Sequence, residues 1–308
     1  MSVYSWLKPK GPSGLGYGST AEQVTAGLSL AGKTIIVTGC NSGIGFETMR
    51  VLALRGAHVI GTGRSEEKAR AACTRVRGQA TGFACELSDP ASVRGFVAAI
   101  KALKTPIDAI ICNAGIMALP KLTLAHGYEL QFFTNHIGHF ILVTGLLDRL
   151  TETGRVVMVS SGAHTRAPMG GIQFGNLSGE QGYSAFTVYG QSKFANLLFA
   201  KELARRFAGT AKTANAVHPG VIPTNIIRHL PATWLVNLIF GIGTLAGLKT
   251  IPQGAATQCY AAVHPGAATI SGAYLRDSNV AAPRADATDP MLAAKLWDIS
   301  EKIIAGLP

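Results

Sequence analysis

Short runs of consecutive apolar residues alternate along this chain with longer segments whose apolar positions recur every three or four residues. The first run, "KTIIVTG", ends in glycine and reads as a buried strand. "IGFETMRVLALRGA" follows with helical periodicity and a glycine stop at Gly56. The alternation then repeats. "HVIGTG" predicts a second strand, "EEKARAACTRV" a helix and "ATGFACE" a third strand. Asp89-Pro90 supplies a cap and a first-position proline for a helix to about Leu103, and "DAIICNAG" predicts a fourth strand. A long helix is expected over about Ala125 to Leu150, a strand at "RVVMVSS", a helix from "TVYGQSKFANLL" through Phe207, and a sixth strand at "TANAVHPG". Near the end, Pro252 opens a helix, "GAYL" predicts a short strand, and Asp289-Pro290 opens a terminal helix.

Strands that alternate with helices, each long enough for a crossover, build a parallel sheet covered on both faces. The expected fold is therefore α/β: one Rossmann-like doubly wound domain with a mostly parallel seven-stranded sheet. Residues 1–30 read as an irregular extension with a short helix near "STAEQVTAGL", and residues 31–308 as the domain itself.

Composition narrows the picture. Apolar residues make up 47% of the 308 positions and charged residues 15%, which fits a globular chain and excludes a disordered one. The net charge of +11 comes from dispersed Lys and Arg, with no basic run or aromatic-basic stripe, so no nucleic-acid partner is expected. Five scattered cysteines have no metal-binding spacing and suit free thiols in a reducing compartment, so a cytoplasmic setting is expected. The N-terminal stretch lacks the apolar core of a signal peptide. "WLVNLIFGIGTLAGL" falls short of the ~20 residues a transmembrane helix needs, so no membrane span is expected.

Candidate chemistry begins at "VTGCNSGIGFE", the turn between the first strand and the first helix. Gly39, Gly43 and Gly45 allow a tight turn and a close approach, and the helix start offers unpaired N–H groups to a pyrophosphate. The second strand ends in "GTGR", with Arg64 where an NAD site carries an acid. A guanidinium there would pair with a 2′-phosphate, which points to NADP(H). Asn113, Ala114 and Gly115 follow the fourth strand, where small residues let a cofactor approach. Tyr189 and Lys193 lie four residues apart, on one helical face. A lysine so placed would favour phenolate and lower the tyrosine pKa, although a tyrosine beside a snorkelling lysine has the same spacing.

Taken in order, "TGCNSGIG", "CNAG", "NHIGHF", "VSS", "YGQSK" and "HPGVIPT" resemble the motifs of the classical short-chain dehydrogenases/reductases. "GIMALP", "ELQFFTNHIGHF" and "YGQSKFANLLFAKELARRF" are similar to the retinol-dehydrogenase-like branch, which includes a dehydrogenase associated with the plant chloroplast inner-envelope translocon. The resemblance implies an NADP(H)-dependent oxidoreductase acting on a small-molecule carbonyl or alcohol. It implies Tyr189 as the general acid/base and Lys193 as the holder of the nicotinamide ribose. Ser161 would bond the substrate oxygen, with Ser160 as the neighbouring candidate, and Asn135 would hold a water in a proton relay. It places Asn41, Ser42 and Ile44 with the glycines of the phosphate turn. It also places Glu86 and Leu87 near adenine, and Pro219, Gly220, Ile222 and Thr224 around the carboxamide and phosphates. Glu86 stands where the family usually has Asp, and Cys112 replaces the commoner asparagine. His136, His139 and His164 read as structural histidines and not as metal ligands. A substrate lid is expected over about 225–250, whose apolar weight suggests a lipophilic substrate and fits a subunit contact or packing of the lid itself equally well. The family forms oligomers as well as monomers, so a homo-oligomer stays open. A competing reading is an NADP-binding sensor or scaffold, against which the complete set of relay residues argues.

Overall fold

The computed structural model of the chain describes residues 8–222 and 248–308. Five strands that expectation places in the sheet lie at Thr34–Thr38 (β1), His58–Gly63 (β2), Ala80–Ala84 (β3), Ile107–Cys112 (β4) and Leu150–Val159 (β7). Thr213–His218 (β8) and Tyr274–Arg276 (β9) complete the expected seven. An eighth, Asn279–Ala281 (β10), was not expected and pairs antiparallel with β9. The two are joined through Asp277 and Ser278, both at positive φ. That is a two-residue hairpin turn, but Asp-Ser is a weak signal for it beside Asn-Gly. The sheet order is β10-β9-β8-β7-β4-β1-β2-β3, with every pair but β9–β10 parallel.

The strands read as continuous apolar runs because both faces of the sheet are covered. Alternate side chains serve two cores. Ile36, Ile60, Ile110, Val156, Met158 and Ala216 face one, which is closed by helices Pro90–Ala102, Gly138–Leu146, Ala185–Arg206 and Pro290–Ala305. Ile35, Val37, Val59, Ile111, Val157 and Val217 face the other, closed by helices Gly43–Leu54 and Ile251–Val263. The N-terminal extension adds to this second core through Ala21 and Val24 of its short helix Ala21–Val24, which Thr20 and Gln23 close with a capping box.

The long helix expected over 125–150 is shorter and less regular. A small hairpin, Leu124–Ala125 (β5) with Tyr128–Glu129 (β6), occupies its start and turns through His126 and Gly127 at positive φ. The helix begins at Leu130–Phe132, passes through a π-helical stretch at Phe133–Ile137, and continues over Gly138–Leu146. Strand β7 starts at Leu150, earlier than the apolar run "RVVMV" suggested, and its register against β4 shifts between Ile107 and Ala109. The expected lid lies mostly outside the described residues, as does the apolar stretch over 234–247. Among the described residues, no helix is long and apolar enough to cross a membrane.

Candidate active site

The chain runs β1, β2, β3 toward one edge and then returns to place β4 against the other side of β1. Ligands of such sheets bind beyond the carboxyl ends of the strands at this reversal. A cleft of about 240 Å³ opens there. The β1 turn lines it with Gly39, Asn41, Ser42, Gly43, Ile44 and Gly45, and β2 and β3 lead into Gly63, Arg64, Cys85, Glu86 and Leu87. The β4 loop contributes Asn113, Ala114, Gly115 and Ile116, and Thr134 completes the wall. Twelve of the expected cofactor residues are thus brought together. Gly63, Cys85, Ile116 and Thr134 were not expected, although the rule of strand carboxyl ends would have found the first two.

The turn suits a polyanion. Gly39 adopts φ +71, and a side chain at Gly45 would collide with the Gly39 carbonyl. Ser42 starts helix Gly43–Leu54 without a side-chain cap, and no acid occupies the first turn. The first N–H groups therefore keep their pull on an anion. Arg64 is exposed at the cleft mouth, and the Ser65 hydroxyl caps helix Glu66–Cys73 by accepting from Lys68 N. Glu86 turns back on its own loop, where Oε1 accepts from the Ser88 amide at 3.1 Å and the Ser88 hydroxyl at 2.9 Å.

Helix Ala185–Arg206 runs past the ends of β4 and β7 and buries Tyr189 and Lys193 on the same face. The Ser161 side chain lies beside the Tyr189 phenol and acts to lower its pKa. Ser160 and Ser161, equivalent in sequence, differ here: Ser160 is buried and its hydroxyl donates to the Lys193 carbonyl at 2.7 Å. Ser161 Oγ accepts from the Ala163 amide at 3.1 Å and keeps its hydroxyl half exposed. Lys193 Nζ donates to the Val159 carbonyl at 2.9 Å and lies 5.8 Å from the Tyr189 ring centre. A Cβ added to Gly115 would sit 3.0 Å from Asn135 Oδ1 and 3.3 Å from Lys193 Nζ, so both side chains flank that glycine.

The expected depression of the Tyr189 pKa does not follow from the chain by itself. Burial pushes the phenol up to about 12, against the opposing pull of the Ser161 side chain. Burial also lowers Lys193 to about 8. In both cases the charged form loses solvation, and that effect outweighs the partner.

Asn135 sits in the π-helical stretch and is fully buried. Its Oδ1 accepts from Ile116 N at 2.9 Å, and its Nδ2 donates to Ile116 O at 3.0 Å and to Ser192 Oγ at 2.9 Å. It thereby clasps the loop after β4 from the far side. His218, which sequence reasoning passed over, joins two further loops: its Nδ1 accepts from Gly162 N at 3.0 Å and Gly220 N at 3.4 Å. Pro219, Gly220 and Ile222 follow β8 at the same end of the sheet but do not line the cleft. Gly220 packs against the buried Lys249, whose ammonium pairs with Asp277 at 2.7 Å. Thr224 lies outside the described residues.

Comparison with known proteins bears on the family and the fold. The family model described as short chain dehydrogenase matches residues 33–233. The chain is 41% identical to "Short-chain dehydrogenase TIC 32 A, chloroplastic" of Brassica napus, over 100% of both chains. It is 37% identical to "Retinol dehydrogenase 11" of Homo sapiens, over 92% of this chain and 89% of that protein. Among solved structures, a short chain dehydrogenase from Burkholderia cenocepacia J2315 in complex with NADP superposes with a TM-score of 0.65 at 25% identity. That match covers 80% of this chain and 96% of the other. With a family model spanning most of the chain and relatives this similar over about nine-tenths of their length or more, the chain belongs to the short-chain dehydrogenase family of oxidoreductases.

Proposed function

We propose that residues 31–308 form a single catalytic domain that carries out NADP(H)-dependent interconversion of a lipophilic carbonyl compound and its alcohol. The observation that carries this reading is the buried Tyr189, with Ser161 beside its phenol and Lys193 one helical turn on. When bound, the cofactor supplies or accepts the hydride. The residues of the chain hold the partners and move the proton.

The glycine turn and the uncapped start of helix Gly43–Leu54 would hold the pyrophosphate, and Arg64 the 2′-phosphate. Glu86 and Leu87 would border adenine. Asn113, Ala114 and Gly115 would line the nicotinamide side, with Pro219, Gly220, Ile222 and Thr224 closing over it. Tyr189 and Ser161 would bond the substrate oxygen. Because burial keeps the phenol protonated at neutral pH, Tyr189 is ready to give its proton to a carbonyl oxygen. Lys193 lies between Tyr189, Gly115 and Asn135, where its charge would stabilise the phenolate left behind and where a proton arriving by way of Asn135 would be returned to Tyr189. Ser160 takes no part in the chemistry; its bond to the Lys193 carbonyl fixes the helix against β7.

The NADP assignment gains support from the NADP complex of the Burkholderia neighbour, and the lipophilic substrate from the name of the retinol dehydrogenase relative. Five buried free thiols suit a reducing setting, read here as the cytoplasm. The deciding experiment is a panel of hydrophobic aldehydes and ketones with NADPH, with NADH as comparator. Turnover of hydrophobic carbonyls with NADPH preferred is expected. Activity on polar carbonyls alone, or equal rates with NADH, would overturn the respective part of the reading. Specific NADPH binding without turnover of any carbonyl would favour the sensor or scaffold reading.

A further inference from the structure

His139 has no role in the chemistry above, yet it is completely buried between the parts that do. Its Nδ1 lies 2.9 Å from the Asn135 main-chain oxygen and its Nε2 2.9 Å from Thr38 Oγ1. A carbonyl can only accept, so Nδ1 carries the proton. Nε2 is then the acceptor, and the Thr38 hydroxyl donates to it. With its one proton directed at His139, Thr38 Oγ1 accepts from the amides of Asn113 and Ala114, each at 2.9 Å. The tautomer is not free to change. Burial holds the imidazole neutral, with a pKa down at about 4, and the bond to the Asn135 carbonyl opposes this less strongly than burial favours it. The charge of Lys193 adds to the lowering.

The loop after β4 is therefore held at two points. Thr38, the last residue of β1, takes the amides of Asn113 and Ala114. The Asn135 side chain takes both backbone groups of Ile116. Gly115 lies between these clamps, against Lys193. His139 is the side chain that bonds the two clamps to one another.

We infer that His139 is a positioning residue that locks the Asn135 carbonyl to the Thr38, Asn113 and Ala114 edge of the cofactor cradle, fixing the proton relay in register with the nicotinamide site. This inference rests on the dehydrogenase reading. Its two nitrogens have separable duties. The Nδ1 arm orients the Asn135 carbonyl and acts on proton transfer. The Nε2 arm orients Thr38 and acts on the cradle.

Two amide substitutions separate the arms, because an asparagine amide falls near the place of Nδ1 and a glutamine amide reaches toward that of Nε2. In His139→Asn, KM for NADPH is expected to rise roughly tenfold while kcat stays within about twofold. In His139→Gln, kcat is expected to fall roughly tenfold at nearly unchanged KM for NADPH. Melting temperatures are measured alongside. Wild-type kinetics in both variants, or a parallel loss of kcat and NADPH affinity in both that tracks a lowered melting temperature, would overturn the inference and leave His139 as core packing. If the wild type turns over no carbonyl, the dehydrogenase reading fails, and His139 is judged by fluorescence titration with NADPH. Binding roughly tenfold weaker in His139→Asn but not in His139→Gln then upholds the cradle arm, and equal affinities reject it.

Discussion

Tyr189 is buried in a setting that favours the neutral phenol, and this biases the direction of the proposed chemistry. With its pKa raised to about 12, it is protonated throughout the range from pH 6 to 9, and carbonyl reduction should not lose its acid across that range. Alcohol oxidation needs the phenolate, whose fraction grows about tenfold per pH unit below the pKa. Initial rates of oxidation should therefore climb from pH 6 to 8 while reduction rates do not, and a flat oxidation profile would count against Tyr189 as the base. Tyr189→Phe keeps the ring and removes the proton. Its turnover should fall by roughly 10² or more with NADPH affinity nearly unchanged, and rates close to wild type would refute the role. Arg64→Ala removes the one cation expected at the adenosine ribose. KM for NADPH should rise about tenfold and KM for NADH should not, since charge-assisted hydrogen bonds to a phosphate are lost for one cofactor alone. The tyrosine–lysine spacing was legible in sequence because four residues are one helical turn. Which of two adjacent serines faces Tyr189 was not, because Ser160 is drawn off by the Lys193 carbonyl across the fold.

At the scale of elements, the first β-strand, its glycine turn and the helix after it were readable because they are local: three glycines, no acid and an apolar run lie within a dozen residues. The packing of that turn gives a stability test. A methyl group at Gly45 meets the Gly39 carbonyl and the Asn113 amide, neither of which can move without disturbing the β4 loop. Gly45→Ala should cost on the order of 1–3 kcal/mol in urea unfolding, together with loss of NADPH binding, whereas an unchanged midpoint would show that the turn relaxes. The segment around Asn135 was the least legible element. Its apolar periodicity promised one helix, but the His126-Gly127 turn and the π-helical stretch divide it. Periodicity senses a solvent-facing side and a buried side, and Phe133–Ile137 is buried at every residue, so nothing in the pattern marked the extra residue per turn.

Across the whole molecule, several buried histidines link the acid response to the fold. Burial lowers His136 to about 3, and His139 and His218 to about 4, from an ordinary value near 6.5. A depressed histidine pKa means that the unfolded chain binds protons first as pH falls. Stability is then complete above about pH 6.5 and declines toward pH 4. For His136 and His139, both fully buried, the loss is on the order of 3 kcal/mol each by the low end of the window. Asp277, Glu202 and Asp286 have carboxyls held below their ordinary values by Lys249, Arg205 and Arg284 respectively, so their contribution is lost at still lower pH. The urea midpoint should therefore fall between pH 7 and 5, before those carboxylates protonate. A midpoint constant over that range would contradict the buried neutral assignment.

By itself the sequence determined the alternation of strands and helices, the glycine turn, the Arg64 position and the tyrosine–lysine interval. Each of these depends on residues within one or two turns of each other, where backbone geometry leaves few choices. Tertiary structure alone decided the place of β9 and β10 at the sheet edge, the choice between Ser160 and Ser161, and the orientation of His139. The physical reason is reach. A hydrogen bond such as that between Thr38 and His139 joins residues 101 positions apart, and it exists only once the helix has packed on the sheet and brought them to 2.9 Å.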